Sequence, residues 1–198
     1  MGEFSDADVA RAVDALADGQ AVILPTDTVY GLAADPRSAD AMARLFELKE
    51  RPEGVPAAVL VGSIEDAKAL IEWSPEIDQL VTAHWPGALT IVGTTRDTTV
   101  AAGTTDTLGV RLPDHAFVQA CARRFGPIAA TSANRHGEPT ITNPAELDAA
   151  FGGDVEVVID GGILVGLAST VVDMTTDTHK ILRQCSPFGT CRLIRLHR

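Results

Sequence analysis

The sequence predicts one α/β domain, built as a twisted mixed β-sheet with helices around a concave cleft. Two observations carry this. Helix-like and strand-like segments alternate along the chain, which favours a sheet under helical cover. Several connections between strand-like segments are too short for a long crossover, so the sheet is expected to be mixed rather than all parallel. Size agrees: 198 residues, 45% hydrophobic and 22% charged, suit one globular domain without disorder. Such a chain buries roughly 70% of the surface it exposes when unfolded. The domain is expected over 1–184, with a C-terminal tail of no clear pattern over 185–198.

Val9, Val13 and Leu16 lie at helical spacing, predicting a helix over Asp6–Asp18 that Asp6 caps and Gly19 stops. Ala21–Leu24 is an apolar run of strand length, ended by Pro25. Ser38 caps a second helix, in which Met42, Leu45, Phe46 and Lys49 share a face. Ala57–Val61 reads as a buried strand. Ser63 and Ser74 cap two further helices, the second with Pro75 at its first position, ending near Glu72 and Trp85. Strands are expected over Leu89–Val92, Leu108–Leu112, Pro127–Ala130, Val155–Ile159, Thr170–Asp173 and Lys180–Leu182. Helices are expected over His115–Phe125, stopped by Gly126, and over Pro144–Phe151, capped by Asn143.

A net charge of −11 and a pI near 4.7 argue against a surface built throughout to hold nucleic acid. The few cations sit beside turns, as at Lys49, Arg51, Arg111, Arg135 and Arg183, a placement that points to a local anionic ligand. No apolar run approaches the ~18–20 residues that cross a bilayer. The start, Met1 to Asp6, is acidic and lacks a secretory n-region. Cys121, Cys185 and Cys191 form no C-x-x-C pair, so a disulfide framework and a four-cysteine zinc site are not expected, and a reducing cytoplasm is. The expected state is a monomer.

Five segments place special residues where a plain connector needs none. Pro25–Leu32 follows a buried strand and offers Thr26, Asp27 and Thr28 as hydrogen-bonding groups, with Gly31 for close backbone approach. Lys49 and Arg51 sit at a helix C-terminus, where they either complement the helix dipole or clamp phosphate. Arg111 lies inside an apolar strand, so it either pairs with a protein carboxylate or meets a ligand's. Thr131–Asn134 follows a strand and could aim several donors at an anion. Asp160-Gly161-Gly162 allows a tight backbone, with Ser169 and Arg183 beyond it. There is no P-loop, no G-x-G-x-x-G, no G-x-S-x-G elbow and no zinc-ligand spacing. His84, His115 and His136 are far apart and suit surface or turn positions. The residues alone describe an α/β domain with a cleft for a small phosphate-bearing anionic or zwitterionic ligand.

Taken together, the segments resemble the YrdC-like threonylcarbamoyl-AMP synthase family. The matching pieces are Leu24–Leu32, Lys49-x-Arg51-Pro52 with Pro56, and Trp85-Pro86-Gly87-x-Leu89-Thr90. Val110-Arg111-Leu112-Pro113-x-His115, Thr131–Asn134, Asp160-Gly161-Gly162, Ser169–Asp173 and Leu182-Arg183 follow in family order. The resemblance covers about residues 8–184. It implies an enzyme, a nucleotidyltransferase, that joins L-threonine, bicarbonate and ATP into threonylcarbamoyl-AMP with release of pyrophosphate, for threonylcarbamoyladenosine modification of tRNA. Carried over by position, Thr28, Arg111, Thr131 and Ser169 would line the threonine site, with Arg111 facing the carboxylate. Arg51, Thr107, Ser132, Asn134 and Arg183 would hold ATP, and Lys49 and Arg51 would supply the catalytic positive charge near the phosphates.

The resemblance further implies Mg²⁺ arriving with ATP and held by few or no protein ligands. A separate tRNA threonylcarbamoyl transferase would act downstream, with only weak direct contact between this chain and tRNA. Two departures stand out: Val55 where many members carry Asn or Lys, and Gln184-Cys185 where a glycine commonly follows the arginine. The extra C-terminal domain of longer relatives is not expected. Two rival functions are a non-catalytic RNA-binding module, disfavoured by the net charge and 5% aromatics, and a domain making a carbamoyl-adenylate with another acceptor.

Overall fold

The computed structural model describes residues 4–50, 56–100, 102, 106–164, 167–176 and 178–184. Arg51, Pro52, Val55, Cys185 and Cys191 lie outside them, as does the tail. Among the described residues nine strands form one sheet: β1 (Val22–Leu24), β2 (Gly31–Ala34), β3 (Ala58–Leu60), β4 (Leu89–Thr94), β5 (Thr107–Arg111), β6 (Ile128–Ser132), β7 (Val157–Val158), β8 (Thr170–Asp173) and β9 (Lys180–Arg183). Their order across the sheet is β7-β1-β2-β6-β3-β5-β4-β8-β9. Pairs β1–β7, β3–β5 and β4–β8 are parallel and the other five antiparallel, so the sheet is mixed as the short connections require.

Six helices are described: α1 (Asp6–Ala17), α2 (Ala39–Leu48), α3 (Ile64–Leu70), α4 (Pro75–His84), α5 (Ala116–Phe125) and α6 (Pro144–Phe151). Most begin where their caps predict. The hydroxyls of Ser38, Ser63 and Ser74 each accept from a backbone N–H in the first turn, and Asn143 does the same for α6. For α1 the cap is Ser5 rather than Asp6, because Ser5 and Asp8 satisfy each other's backbone N–H groups in a capping box. Gly126 ends α5 at φ 101°, a conformation that favours glycine.

Side chains alternate across the strands with period two. Ile23 faces a core formed with α2, α3, α4 and α6, while Val22 and Leu24 face a second core formed with α1 and α5. Two differences from the sequence reading matter for the site. Gly31–Ala34 is a strand, although its Ala-rich run carries little strand propensity. Strand β6 runs on to Ser132, so Thr131 and Ser132 sit on a strand rather than in a turn. No helix among the described residues is long and apolar enough to cross a membrane.

Candidate active site

A cavity of about 370 Å³ opens over the centre of the sheet. Its floor is made of short side chains in neighbouring strands: Gly31 of β2, Ala130 of β6, Ala58 of β3 and Gly109 of β5. The pairings Ala58↔Ala130 and Ala58↔Gly109 place three of these side by side. Around the floor stand Thr28, Lys49, Thr107, Arg111, Thr131, Ser132, Asn134, Ser169 and Arg183. The fold thus brings together nine positions drawn from six separate stretches of chain, and Arg51 alone among the sequence-derived candidates lies outside the described residues.

The loop from β1 to β2 is folded around Thr26. Its hydroxyl donates to Val29 O at 2.6 Å and accepts from the N–H groups of Thr28 and Val29. This turn presents two groups to Arg111: Nη1 donates to Thr28 Oγ1 at 2.8 Å and Nη2 to Asp27 Oδ1 at 2.6 Å. Nε donates to Gly87 O at 2.9 Å. A protein carboxylate partners this guanidinium, since a cation only 6% exposed is costly without one, and Arg111 still lines the cavity.

Lys49 does more than complement the α2 dipole. It caps the C-terminus of α2 yet is only 4% exposed. Its ammonium donates to Ser132 O at 2.6 Å, to Ser132 Oγ at 3.1 Å and to Asn134 Oδ1. Ser132 Oγ donates in turn to Asn134 Oδ1 at 2.7 Å, and Asn134 Nδ2 donates to Arg135 O and Glu138 O. The Ser132 and Asn134 donors expected to aim at a ligand are therefore turned toward the protein, where they brace the 133–138 loop.

On the opposite side, Arg183 donates from Nε to Ser169 O at 3.0 Å and from Nη2 to Ser169 Oγ at 3.1 Å. Ser169 Oγ also shares a 2.8 Å hydrogen bond with Thr90 of β4. Thr90 lines the cavity, and sequence reasoning gave it no role. Its signals were a hydroxyl in an apolar strand and its place at the end of the Trp85-Pro86-Gly87-x-Leu89-Thr90 piece.

Gly31 lies on the cavity floor, and a Cβ there would meet only ordinary protein contacts at 3.6–3.8 Å. Gly161 is the demanding position, where a Cβ would run into Pro25. None of Asp160, Gly161 and Gly162 lines the cavity. Instead they hold Tyr30, whose Oη donates to Gly162 O at 2.7 Å and accepts from Gly161 N–H at 2.9 Å. Burial raises the Tyr30 pKa, opposed by that backbone bond.

His115 is buried rather than on the surface, against Phe4 and Phe117. Neither ring nitrogen has a hydrogen-bond partner among the described residues, and burial lowers its pKa against the pull of Asp27 and Asp114. Burial also pushes the Cys121 thiol up to about 12, so it carries no thiolate at neutral pH. His136 sits on the braced loop and lines the cavity. Sequence reasoning gave it only a surface or turn position, because nothing local ties an exposed turn histidine to strands so distant in sequence.

Lys49, Arg111 and Arg183 line the cavity, and among the described residues no Asp or Glu does. In a chain of net charge −11 this is a local cationic basin, fitted to phosphate or carboxylate. Among the described residues no group of three or more His, Cys, Asp or Glu is placed to hold a metal ion.

Comparison with known proteins places this geometry. Residues 14–185 match the Sua5/YciO/YrdC family, which carries the description "telomere recombination". The chain is 34% identical over 185 residues to the threonylcarbamoyl-AMP synthase of Bacillus subtilis, covering 90% of this chain and 54% of that protein. It is 37% identical over 171 residues to the threonylcarbamoyl-AMP synthase of Pyrococcus abyssi, covering 84% and 50%. The crystal structure of P. abyssi Sua5 complexed with L-threonine superposes with a TM-score of 0.86 at 33% identity, over 93% of this chain and 56% of that one. The chain spans about half the length of these relatives.

Proposed function

Because this chain belongs to the Sua5/YciO/YrdC family, we propose that it is a threonylcarbamoyl-AMP synthase, joining L-threonine, bicarbonate and ATP and releasing pyrophosphate. The observation that carries the reading is the carboxylate-free cationic cavity among the described residues, bordered by threonine and serine hydroxyls. Relatives named for this activity and the threonine complex of P. abyssi Sua5 support it.

In this reading Arg111 takes the threonine carboxylate, with Thr28, Thr131 and Ser169 around the amino acid. Thr107, Ser132, Asn134 and Arg183 border ATP, with Arg51, and Lys49 keeps the Ser132–Asn134 corner in shape. The carbamate oxygen attacks the α-phosphorus and pyrophosphate leaves. Negative charge spreads over phosphate oxygens in that step, so catalysis rests on positioning and fixed positive charge. The polar side chains of the described cavity lining are hydroxyls, cations, Asn134 and His136, with no carboxylate, and form no cradle for Mg²⁺. In this reading any magnesium comes bound to the phosphates of ATP.

The product is an activated carbamoyl, which a downstream transferase would consume in modifying tRNA. The reaction belongs in the cytoplasm, where that tRNA is found. Incubating the protein with ATP, radiolabelled bicarbonate and each amino acid in turn, followed by chromatography, tests the proposal. A labelled adenylate with threonine is the expected result. Its appearance with a different acceptor, or RNA binding without any adenylate, would replace the reading.

A further inference from the structure

We infer that His136 is the group that takes up the proton released when the amino group of the substrate is carboxylated. The inference rests on the proposed synthase activity and adds a catalytic residue to it. The chemistry needs such a group. An ammonium and bicarbonate combine to give a carbamate, one water and one proton, with the new bond formed between the amine nitrogen and the bicarbonate carbon. That proton must pass to a base before the carbamate oxygen can attack the α-phosphorus.

The cavity offers few candidates. Arg111 and Arg183 stay protonated, since a guanidinium is not deprotonated in proteins. The Lys49 ammonium donates to Ser132 O, Ser132 Oγ and Asn134 Oδ1, the arrangement of a cation held by acceptors. Threonine and serine hydroxyls are not bases near neutrality. Asp27 is engaged by Arg111 at 2.6 Å and is not among the residues that line the cavity. What remains among the described lining residues is the His136 imidazole, which has a ring nitrogen able to accept a proton.

Its backbone placement is fixed. His136 N–H donates to Lys49 O at 2.8 Å, and the loop is tied on both sides by Asn134 Nδ2, to Arg135 O and Glu138 O. Gly137 follows at φ 83°, turning the chain back toward the strand end. The residue is exposed, so a proton collected in the cavity can pass on to water.

The test compares wild type, His136→Ala and His136→Gln by pyrophosphate release with threonine, bicarbonate and ATP, alongside ATP binding by calorimetry. Turnover of both variants is expected to fall about 10²-fold with ATP affinity unchanged. Free imidazole added to His136→Ala should restore part of the rate. Wild-type turnover in His136→Ala overturns the assignment. So does a loss that imidazole does not rescue and that follows a loss of ATP affinity, since His136 would then be a nucleotide contact. A wild type that forms no adenylate defeats the synthase reading itself, and this inference with it.

Discussion

The Asp27 carboxylate accepts a hydrogen bond from Arg111 Nη2 at 2.6 Å, across 84 residues of sequence. The pair belongs to the site and to the fold at once: Asp27 sits in the β1–β2 loop and Arg111 at the end of β5. In the proposed synthase reading Arg111 also meets the threonine carboxylate, so Arg111→Ala should raise the threonine KM and leave ATP binding nearly unchanged, a loss on the order of 2–4 kcal/mol for one partner of a desolvated charge pair. Arg111→Lys keeps the charge but cannot bridge Thr28, Asp27 and Gly87 together, so most of the loss should persist. Threonine titrations of both variants check this, and normal threonine binding in either would leave Arg111 a purely structural ion.

Lys49 is predicted to matter for stability as well as turnover. A lysine merely complementing the α2 dipole would contribute ~0.3–1 kcal/mol. Removing this one strips the charged donor from Ser132 O and Asn134 Oδ1, which keep only the Asn134 N–H and the Ser132 hydroxyl, at a cost of about 1.5–3 kcal/mol for hydrogen bonds to a charged group. Lys49→Met should lower the urea midpoint accordingly, and turnover should drop about tenfold or more as the positive charge and the shape of that corner are lost. An unchanged midpoint would count against the bracing role.

Stability should fall on mild acidification because of His115. Burial holds its pKa in the folded protein below the ordinary value of 6.5, despite Asp27 and Asp114. The unfolded chain binds a proton near that value that the folded chain does not. The contribution is thus fully present above pH 6.5 and declines as pH drops through it. Asp97 and Asp173, whose hydrogen bonds to Thr99 and Thr175 lower their pKa, act only below the ordinary carboxylate value of 3.8. Urea melts of wild type and His115→Leu at about pH 7.5 and about pH 5.5 check this. The wild type should lose stability between the two conditions and the variant should lose less.

Selectivity should follow the substrate hydroxyl. A site that hydrogen-bonds a hydroxyl rejects the analogue lacking it strongly, because its own polar groups are left unpaired. Loss of one methyl costs only ~1–3 kcal/mol. The expected order in pyrophosphate release is threonine, then serine, then valine, and valine equal to threonine would remove Thr28 and Thr131 from that role.

How much of this was legible in the sequence depended on the range of each signal. Ser38, Ser74 with Pro75, and Asn143 with Pro144 mark helix starts because capping is local, and the structure places caps there. Strand β2 was missed because Gly31–Ala34 has neither alternation nor β-branched side chains, and only its neighbours β1 and β6 make it a strand. The special character of Arg111 was visible as a charge in an apolar run, but its partner Asp27 was not. Gly161 was recognised as a constraint and assigned to the wrong object: it makes room for Pro25.

The short-chained floor of the cavity has a thermodynamic consequence. Gly31, Ala58, Gly109 and Ala130 have no side-chain rotamers to freeze when a ligand settles on them. The long side chains above them, Lys49 and Arg111, are already pinned by hydrogen bonds to Ser132, Asn134, Asp27 and Thr28. Binding here orders little protein that is not ordered beforehand, so a small substrate with few atoms keeps most of the affinity its contacts generate.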